Sequence, residues 1–295
     1  MTKACLPALE EVATIGFPMP AGACDAHAHV FGPYDQYPLD EDRSYTPREY
    51  PARDFIRHLD QLSLDRGVLV TGSACGADNG SVLHALSQYP DRLRGIIVPS
   101  LDITESQLDQ WTEAGVRGVR VNLYKLNGQA VYRNGAGMEI LQALAPRLAA
   151  RGWHAQIWIH APDLPEMMPS LKRLNLPLVI DHMGRMDTAR GVNDPGFQFL
   201  CQQLSEGILW TKISGADRNT RKGAPYADVD DFAQAILAAN NEQVVWGTDW
   251  PHINYFDPDR MPDDGMLTGL LARWLPVESD RNRVLVDNPA KLYGF

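Results

Sequence analysis

The chain has 295 residues, and its 27 Lys and Arg against 37 Asp and Glu give a formal net charge of −10 with His neutral. A hydrophobic content of 44% excludes a disordered chain, and the lack of a basic excess disfavours nucleic-acid binding, which depends on neutralising phosphates. An acidic chain should also repel an anionic substrate, unless Arg and Lys side chains converge at one site.

We expect an N-terminal extension over residues 1–22 and a single domain over 23–295. The extension has no long apolar run and carries Glu10 and Glu11, so it does not resemble a secretory signal. The chain contains no run of about 18 apolar residues, so we expect no membrane span. The four Cys residues are too widely spaced for a zinc ribbon and suggest reduced thiols in a cytoplasmic protein. They are Cys5, Cys24, Cys75 and Cys201.

Eight short apolar runs recur along the chain, and their continuous apolar character predicts strands buried on both faces of a parallel sheet. They cover residues 23–31, 67–73, 94–100, 118–124, 154–160, 177–183, 208–214 and 244–250. Segments of helical period lie between them, most clearly at 108–115, 138–152 and 227–241. This alternation predicts an α/β fold, a (β/α)8 TIM barrel. A doubly wound open sheet is less well supported, because no GxGxxG follows an early strand. Residues 31–54 predict a long loop of the kind that often binds ligands.

Polar side chains end several of these runs, and a barrel carries its catalytic residues at the carboxyl ends of its strands. The spacing of His27 and His29 turns both imidazoles to one face of the first strand. Imidazole and carboxylate groups can bind zinc or a similar divalent ion, or act as acid and base without a metal. His252 follows the eighth run closely and is counted as a residue that could line the site. The strand-end set consists of His27, His29, His160, Asp181, His182 and Asp249.

Five motifs are spread over nearly the whole chain: DAHAHVFGP, RGVRVN, VIDHMGR, WGTDWPH and the tail DNPAKLYGF. Through them the chain resembles the amidohydrolase superfamily, in the branch that contains the 2-pyrone-4,6-dicarboxylate hydrolases, which are lactonases. The resemblance implies an amidohydrolase-type barrel. Because D-galactarolactone isomerases and sulfomuconolactone hydrolases share the branch, the resemblance specifies the fold more firmly than the substrate.

The resemblance also implies roles for individual residues. Asp249 would act as the base toward water, while His27, His29 and His182 polarise the lactone carbonyl without a required metal. Substrate carboxylates would be held by Arg and Tyr side chains, with a loop Ser nearby. The matching positions are Arg120, Arg218, Tyr45 and Ser73.

The chain departs from the branch pattern at three positions. Leu126 stands where a second Arg is expected, and the adjacent Lys125 could replace it only as a point charge. Trp158, which we place in the substrate site, stands where a Tyr is expected, and His160 replaces an acidic residue. His160 therefore keeps a metal site open as the alternative to a metal-free one. That site would hold one divalent ion, such as Zn²⁺, on His27, His29, His160 and Asp249.

The sequence thus predicts a hydrolase that opens a carboxylate-bearing lactone, with 2-pyrone-4,6-dicarboxylate or a close analogue as the foremost candidate. Two other reactions on the same scaffold stay open, sugar-acid lactone isomerisation and metal-dependent decarboxylation of an aromatic acid. A non-catalytic dicarboxylate binder is the third alternative. The expected partner is a small anionic lactone, and the chain could be a monomer or a homo-oligomer.

Overall fold

Eight parallel strands form the centre of the molecule in a computed structural model that describes residues 2–126, 128–131 and 135–295. Their hydrogen-bonded order follows the chain from β1 to β8. The strands are β1 (Cys24–Ala28), β2 (Arg66–Val70), β3 (Leu93–Ile97), β4 (Val116–Asn122), β5 (His154–Trp158), β6 (Leu178–Ile180), β7 (Leu209–Lys212) and β8 (Val244–Val245). The Ala26 amide donates to the carbonyl of Trp246, the residue after β8, at 2.8 Å, and so joins the first strand to the end of the last. The predicted (β/α)8 barrel is therefore confirmed.

Helices follow the strands and cover the outside of the barrel. They are α1 (Ala52–Gln61), α2 (Gly80–Gln88), α3 (Glu105–Glu113), α4 (Met138–Ala149), α5 (Leu164–Lys172), α6 (Pro195–Ser205), α7 (Ala216–Asn219), α8 (Asp230–Asn240), α9 (Asp264–Trp274), α10 (Glu278–Asn282) and α11 (Asn288–Tyr293), with a π-helical turn at Arg283–Asp287. Local sequence explains where several begin. Thr104 and Gln107 form a capping box at α3, which satisfies amides that the first turn leaves unpaired. The Asp194 side chain accepts from two amides at the start of α6.

Seven of the eight strands are shorter than the apolar runs that predict them, whereas β4 has the length of its run and begins two residues earlier. The run at 23–31 contributes only Cys24–Ala28 to the sheet, and the run at 154–160 only His154–Trp158. The remaining residues of each run leave the ladder and form the loops at the carboxyl end of the barrel. Those loops carry the polar side chains that end the predicted strands.

Buried polar contacts hold β1 against the segment after β8. Asp25 accepts from the backbone amides of His27 and Thr248, both at 3.0 Å, and from Thr248 Oγ1 at 2.5 Å. Burial raises the pKa of Asp25 to about 7, although these hydrogen bonds oppose the shift. Gly247 allows the close approach, because a Cβ there would lie 2.5 Å from the His27 amide nitrogen. The motifs DAHAH and WGTDWPH thus meet at one seam of the barrel.

The segment before β1 runs across the loops and reaches the start of α9. The Cys5 amide donates to the Thr46 carbonyl at 2.8 Å, within the long loop between β1 and α1. The Ala13 amide donates to Asp263 at 3.0 Å, next to α9. The boundary between residues 22 and 23 stays a prediction. Within the described residues, no helix combines the length and apolar character that crossing a membrane requires.

Candidate active site

A cavity of about 250 Å³ opens at the carboxyl end of the barrel, the end at which barrel enzymes bind their substrates. Seven residues predicted from the sequence line it: His29, Ser73, Arg120, Trp158, His182, Arg218 and Asp249. His27 is fully buried next to Asp249. The other described lining residues are Tyr124, Val131, Arg185, Ile253 and Asn254.

Asp249 occupies the centre of the site, with one carboxylate oxygen toward three imidazoles. Its Oδ1 lies 3.3 Å from His29 Nε2 and 3.7 Å from His27 Nε2. The same oxygen lies 3.9 Å from His182 Nε2. Oδ2 accepts hydrogen bonds from Arg218 Nε and Nη2 at 3.3 and 3.2 Å. The guanidinium therefore orients the carboxylate and leaves Oδ1 for chemistry among the imidazoles.

Unusual backbone conformations turn two of these side chains into the cavity. Asp249 and His182 have φ values of 67° and 51°, a left-handed region that non-glycine residues rarely adopt. The Asp249 amide donates to the His27 carbonyl at 2.9 Å, which fixes the turn after β8. Gly215 makes room behind His182, because a Cβ there would lie 2.9 Å from the His182 Cβ. Such conformations persist where surrounding contacts enforce them, and they cluster at functional sites.

The partner of His29 determines which of its nitrogens carries a proton. Nδ1 lies 2.7 Å from the Val70 carbonyl oxygen. A carbonyl only accepts, so Nδ1 carries a proton, and in the neutral ring Nε2 directs a lone pair at Asp249. Two acceptors at 3.3 Å repel each other unless a proton or a cation lies between them. The His29–Asp249 pair is therefore suited to share either one.

Burial and nearby charges set the protonation states around the cavity. Burial alone would raise the pKa of Asp249, but His182 and Arg218 hold it well below its usual range, so the carboxylate is ionised and can accept a proton. Burial lowers the pKa of His182 to about 4. Burial, reinforced by the charge of Lys212, holds the pKa of His27 well below its usual value. Both rings are therefore neutral near pH 7.

A buried lysine lies beside the imidazoles, and the sequence analysis missed it. Lys212 ends β7 with no exposed surface, and its Nζ donates to the Ala26 carbonyl at 2.9 Å and to Gln156 Oε1 at 2.7 Å. It lies 3.4 Å from Asp181 Oδ1. Burial lowers the pKa of Lys212 to about 8, with Asp181 opposing the shift. The sequence held a signal for it, because Lys212 lies inside the apolar run at 208–214 that predicts a buried strand. A Lys in such a place is rarely buried unless it is paired.

Three arginines make the cavity locally positive in an acidic protein. Arg120 lies on β4, with its guanidinium 5.9 Å from the Trp158 ring centroid. Arg218 lies on α7 and binds the central carboxylate. Arg185, which the sequence analysis did not select, follows the sixth strand in VIDHMGR, and its Nη1 donates to Asn219 Oδ1 at 3.1 Å. Their shared location reconciles the net charge of −10 with an anionic ligand.

Tyr45 lies behind the cavity wall rather than at its surface. The side chain is fully buried, its hydroxyl lies 3.1 Å from Ser73 Oγ, and it accepts from the Ala74 amide at 3.2 Å. Ser73 itself lines the cavity. The structure thus places the Tyr45 hydroxyl against the loop that carries Ser73, and a hydrogen bond from Tyr45 to substrate stays a prediction.

Two further predicted substrate contacts are also placed elsewhere. His252 is fully buried, and its Nε2 lies 2.8 Å from Asp264 Oδ1 at the start of α9, so its ring joins the barrel to that helix. Lys125 is exposed on a short hairpin formed by Lys125–Leu126 and Gln129–Ala130. The side chain of Leu126 lies outside the described part of the chain. Arg185 supplies the cavity with the cation that the sequence analysis assigned to Lys125.

The ligand set expected for a metal ion is not assembled as predicted. The ligand atoms of His27, His29 and Asp249 lie within 4.8 Å of one another, but His160 lines an adjoining cleft, because it lies beyond the end of β5. For Nε2 of His27 to bind a metal, the ring proton must be on Nδ1, which lies 3.1 Å from Lys212 Nζ, a donor itself. The residues therefore fit a metal poorly at His27. A second close group consists of His27, Asp181 and His182. There the Lys212 ammonium already lies 3.1 Å from His27 Nδ1 and 3.4 Å from Asp181 Oδ1, and its positive charge opposes a metal ion at the same place.

Comparison with known proteins agrees with this geometry. A family model described as amidohydrolase matches residues 24–295. The chain is 41% identical over 290 residues to a 4-sulfomuconolactone hydrolase of Rhizobium radiobacter, covering 96% of this chain and 93% of the relative. It is 35% identical over 286 residues to a 2-pyrone-4,6-dicarboxylate hydrolase of Comamonas testosteroni, covering 94% and 92%. A crystal structure from Acinetobacter baumannii, a probable 2-pyrone-4,6-dicarboxylic acid hydrolase with citric acid bound, has a TM-score of 0.78 and 30% identity, covering 93% of this chain and 100% of that one.

Proposed function

The chain belongs to the amidohydrolase family, and from that premise we propose that it hydrolyses a lactone bearing two acidic groups. The observation that carries the proposal is the cavity itself. An ionised carboxylate, Asp249, faces imidazoles on one side, while Arg120, Arg185 and Arg218 line the same space. Simple anion binding has no use for a carboxylate at the centre, so the arrangement favours an enzyme over a binder.

The proposed reaction assigns each group a defined task. Guanidinium forks bind the acidic groups of the lactone and place its carbonyl carbon near Asp249. Asp249 takes a proton from water as the water oxygen bonds to that carbon. Imidazole N–H groups that face the site stabilise the oxyanion that forms. The ring C–O bond then breaks, and the departing ring oxygen takes the proton from Asp249, which leaves an opened acid and the carboxylate restored.

The relatives support the acidic-lactone substrate class. Two curated relatives that align over most of this chain are named for lactones with a carboxylate or a sulfonate, and the Acinetobacter structure holds citric acid, a tricarboxylic acid. On the basis of these names we propose 2-pyrone-4,6-dicarboxylate and 4-sulfomuconolactone as the two substrates to compare. In this chain Arg185 lines the cavity that would receive their acidic groups, whereas Lys125 is exposed.

A direct assay tests the proposal. Purified protein of measured metal content is incubated with each lactone, with and without a chelator, while lactone absorbance and proton release are followed. Hydrolysis should consume at least one lactone and release one proton per ring opened. Isomerisation would change the product without that proton, and loss of CO₂ would indicate decarboxylation. If neither lactone reacts at micromolar enzyme, the proposed substrate class is wrong.

Arg185 should contribute more to substrate binding than Lys125 does. We expect Arg185→Met to raise KM by about 10-fold or more, since a hydrogen bond to a charged group contributes roughly 1.5–3 kcal/mol. Lys125→Met is the matched control and should change KM by less than about 3-fold, because that side chain is exposed on the hairpin. Steady-state kinetics on the better lactone measure both variants. The opposite ranking would return the second anion contact to Lys125.

A further inference from the structure

The buried Lys212 has more contacts than charge balance alone would require. An ammonium group carries three protons and accepts none. Two of them are directed at the Ala26 carbonyl and Gln156 Oε1, at 2.9 and 2.7 Å. For the third, the described residues offer His27 Nδ1 at 3.1 Å and an oxygen of Asp181 at 3.4 Å.

The nearer of these two contacts determines where His27 carries its proton. A donor 3.1 Å from Nδ1 requires a lone pair on that nitrogen, because two N–H groups would otherwise face each other. The single ring proton of neutral His27 must then be on Nε2. Among the described residues, none provides that Nε2 with a hydrogen-bond partner, although it lies only 3.7 Å from Asp249 Oδ1.

Asp181 would favour the opposite tautomer of His27, with the ring proton on Nδ1. Its Oδ1 lies 3.4 Å from His27 Nδ1 and would accept a proton from that nitrogen. However, Oδ2 already accepts from Gln156 Nε2 at 3.2 Å and lies 3.7 Å from Arg120 Nε. Oδ1 has no hydrogen bond among the described residues and lies 3.4 Å from both His27 Nδ1 and Lys212 Nζ. Lys212 is the closer neighbour of the imidazole, at 3.1 Å, and its ammonium can donate to Oδ1 in place of the ring.

We infer that Lys212 is a positioning residue that holds His27 in the Nε2–H tautomer, so that His27 directs a proton at the Asp249 carboxylate, 3.7 Å away, instead of a lone pair at a metal. The His27–His29 pair then presents unlike faces to the site. His29 carries its proton on Nδ1 beneath the Val70 carbonyl, whereas His27 directs its proton toward the reaction centre. The catalytic part of this inference rests on the proposed lactonase function, but the tautomer does not.

The tautomer can be measured in the unaltered protein. Long-range ¹H–¹⁵N NMR correlations distinguish protonated from unprotonated ring nitrogens, and His27→Gln identifies the His27 signals by their loss. We expect a protonated Nε2 and an unprotonated Nδ1 for His27, with the reverse for His29. A protonated Nδ1 on His27 overturns the inference, whether or not any lactone is turned over.

Lys212→Met tests the cause of the tautomer, with the exposed Lys172→Met as control. Without the ammonium, His27 Nδ1 is free to carry a proton toward Asp181, an arrangement that raises the metal affinity of an imidazole. We expect a reversed tautomer, Zn²⁺ bound about 10-fold or more tightly by calorimetry, and a kcat about 100-fold lower with KM nearly constant. An unchanged tautomer would show that Lys212 does not set it.

A double variant separates the effect on the tautomer from a loss of stability. Lys212→Met leaves Asp181 as a buried charge that has lost its closest cation, which can destabilise the fold. Lys212→Met combined with Asp181→Asn removes both charges and preserves the volume. In the double variant the His27 tautomer should no longer be fixed, and both tautomers should be populated. Retention of a single Nε2–H form there would contradict the role of Lys212.

Discussion

Asp249→Asn should lower kcat by about 1000-fold while the protein stays folded, because a positioned general base contributes about 10²–10⁴-fold. The amide keeps the shape of the side chain and an oxygen for Arg218, whose contacts to Oδ2 are 3.2–3.3 Å, but it cannot accept a proton from water. Turnover of the better lactone and a thermal melt measure the two parts of this expectation.

The pH dependence provides an independent check on the same group. His182 and Arg218 hold the pKa of Asp249 well below its usual range, so the base loses its charge only in strong acid. Lowering the pH from 7 to 5 should therefore not reduce kcat/KM through this carboxylate.

Asp264→Asn is the matched control for Asp249→Asn, since Asp264 is also buried but pairs with His252. Activity within about 3-fold of wild type in Asp249→Asn would rule out the base role.

Arg218→Met should lower kcat/KM by about 100-fold or more. Arg218 has two roles in the proposed reaction. It lines the cavity, where it binds an acidic group of the substrate, and it pairs with Asp249. A hydrogen bond to a charged group contributes roughly 1.5–3 kcal/mol, so loss of both interactions should affect KM and kcat together. Arg218→Lys keeps the charge without the planar fork and should give an intermediate loss.

The control for this prediction is an arginine at the edge of the barrel. Arg190 is 46% exposed in its side chain and pairs with Asp194 at 2.7 Å, so Arg190→Met should leave kcat/KM within about 3-fold of wild type. Equal effects of Arg218→Met and Arg190→Met would argue for a general electrostatic contribution of the surface. A rise in KM without any change in kcat would remove the role of Arg218 in orienting Asp249.

The sequence was sufficient for the architecture because the relevant pattern is local. Stretches such as 67–70 and 177–180 are apolar on both faces, which only a covered parallel sheet accommodates. The same runs predicted which residues reach the carboxyl end of the barrel, and Asp249, His29 and His182 do line one cavity. The lengths of seven of the eight strands were overestimated, since periodicity does not show where a chain leaves its hydrogen-bonded ladder.

The roles of several side chains could not be read from their position along a strand. His252 follows β8 as closely as the motif suggests, yet it pairs with Asp264 from a helix that begins twelve residues later. His160 ends its run but leaves the sheet and lines the adjoining cleft. A strand-end position limits where a backbone lies, whereas the direction of a side chain depends on neighbours that are distant in sequence.

By itself, the sequence determined the barrel, the family resemblance and the candidate set around Asp249, because repeated burial and short motifs are encoded locally. Only the tertiary structure identified Arg185 as a cavity cation and Lys212 as the neighbour of His27. Lys212 and His27 are 185 positions apart, and only closure of the barrel brings them together. The net charge of −10 describes the whole chain, while the three-dimensional arrangement of a few guanidinium groups gives the cavity its opposite sign.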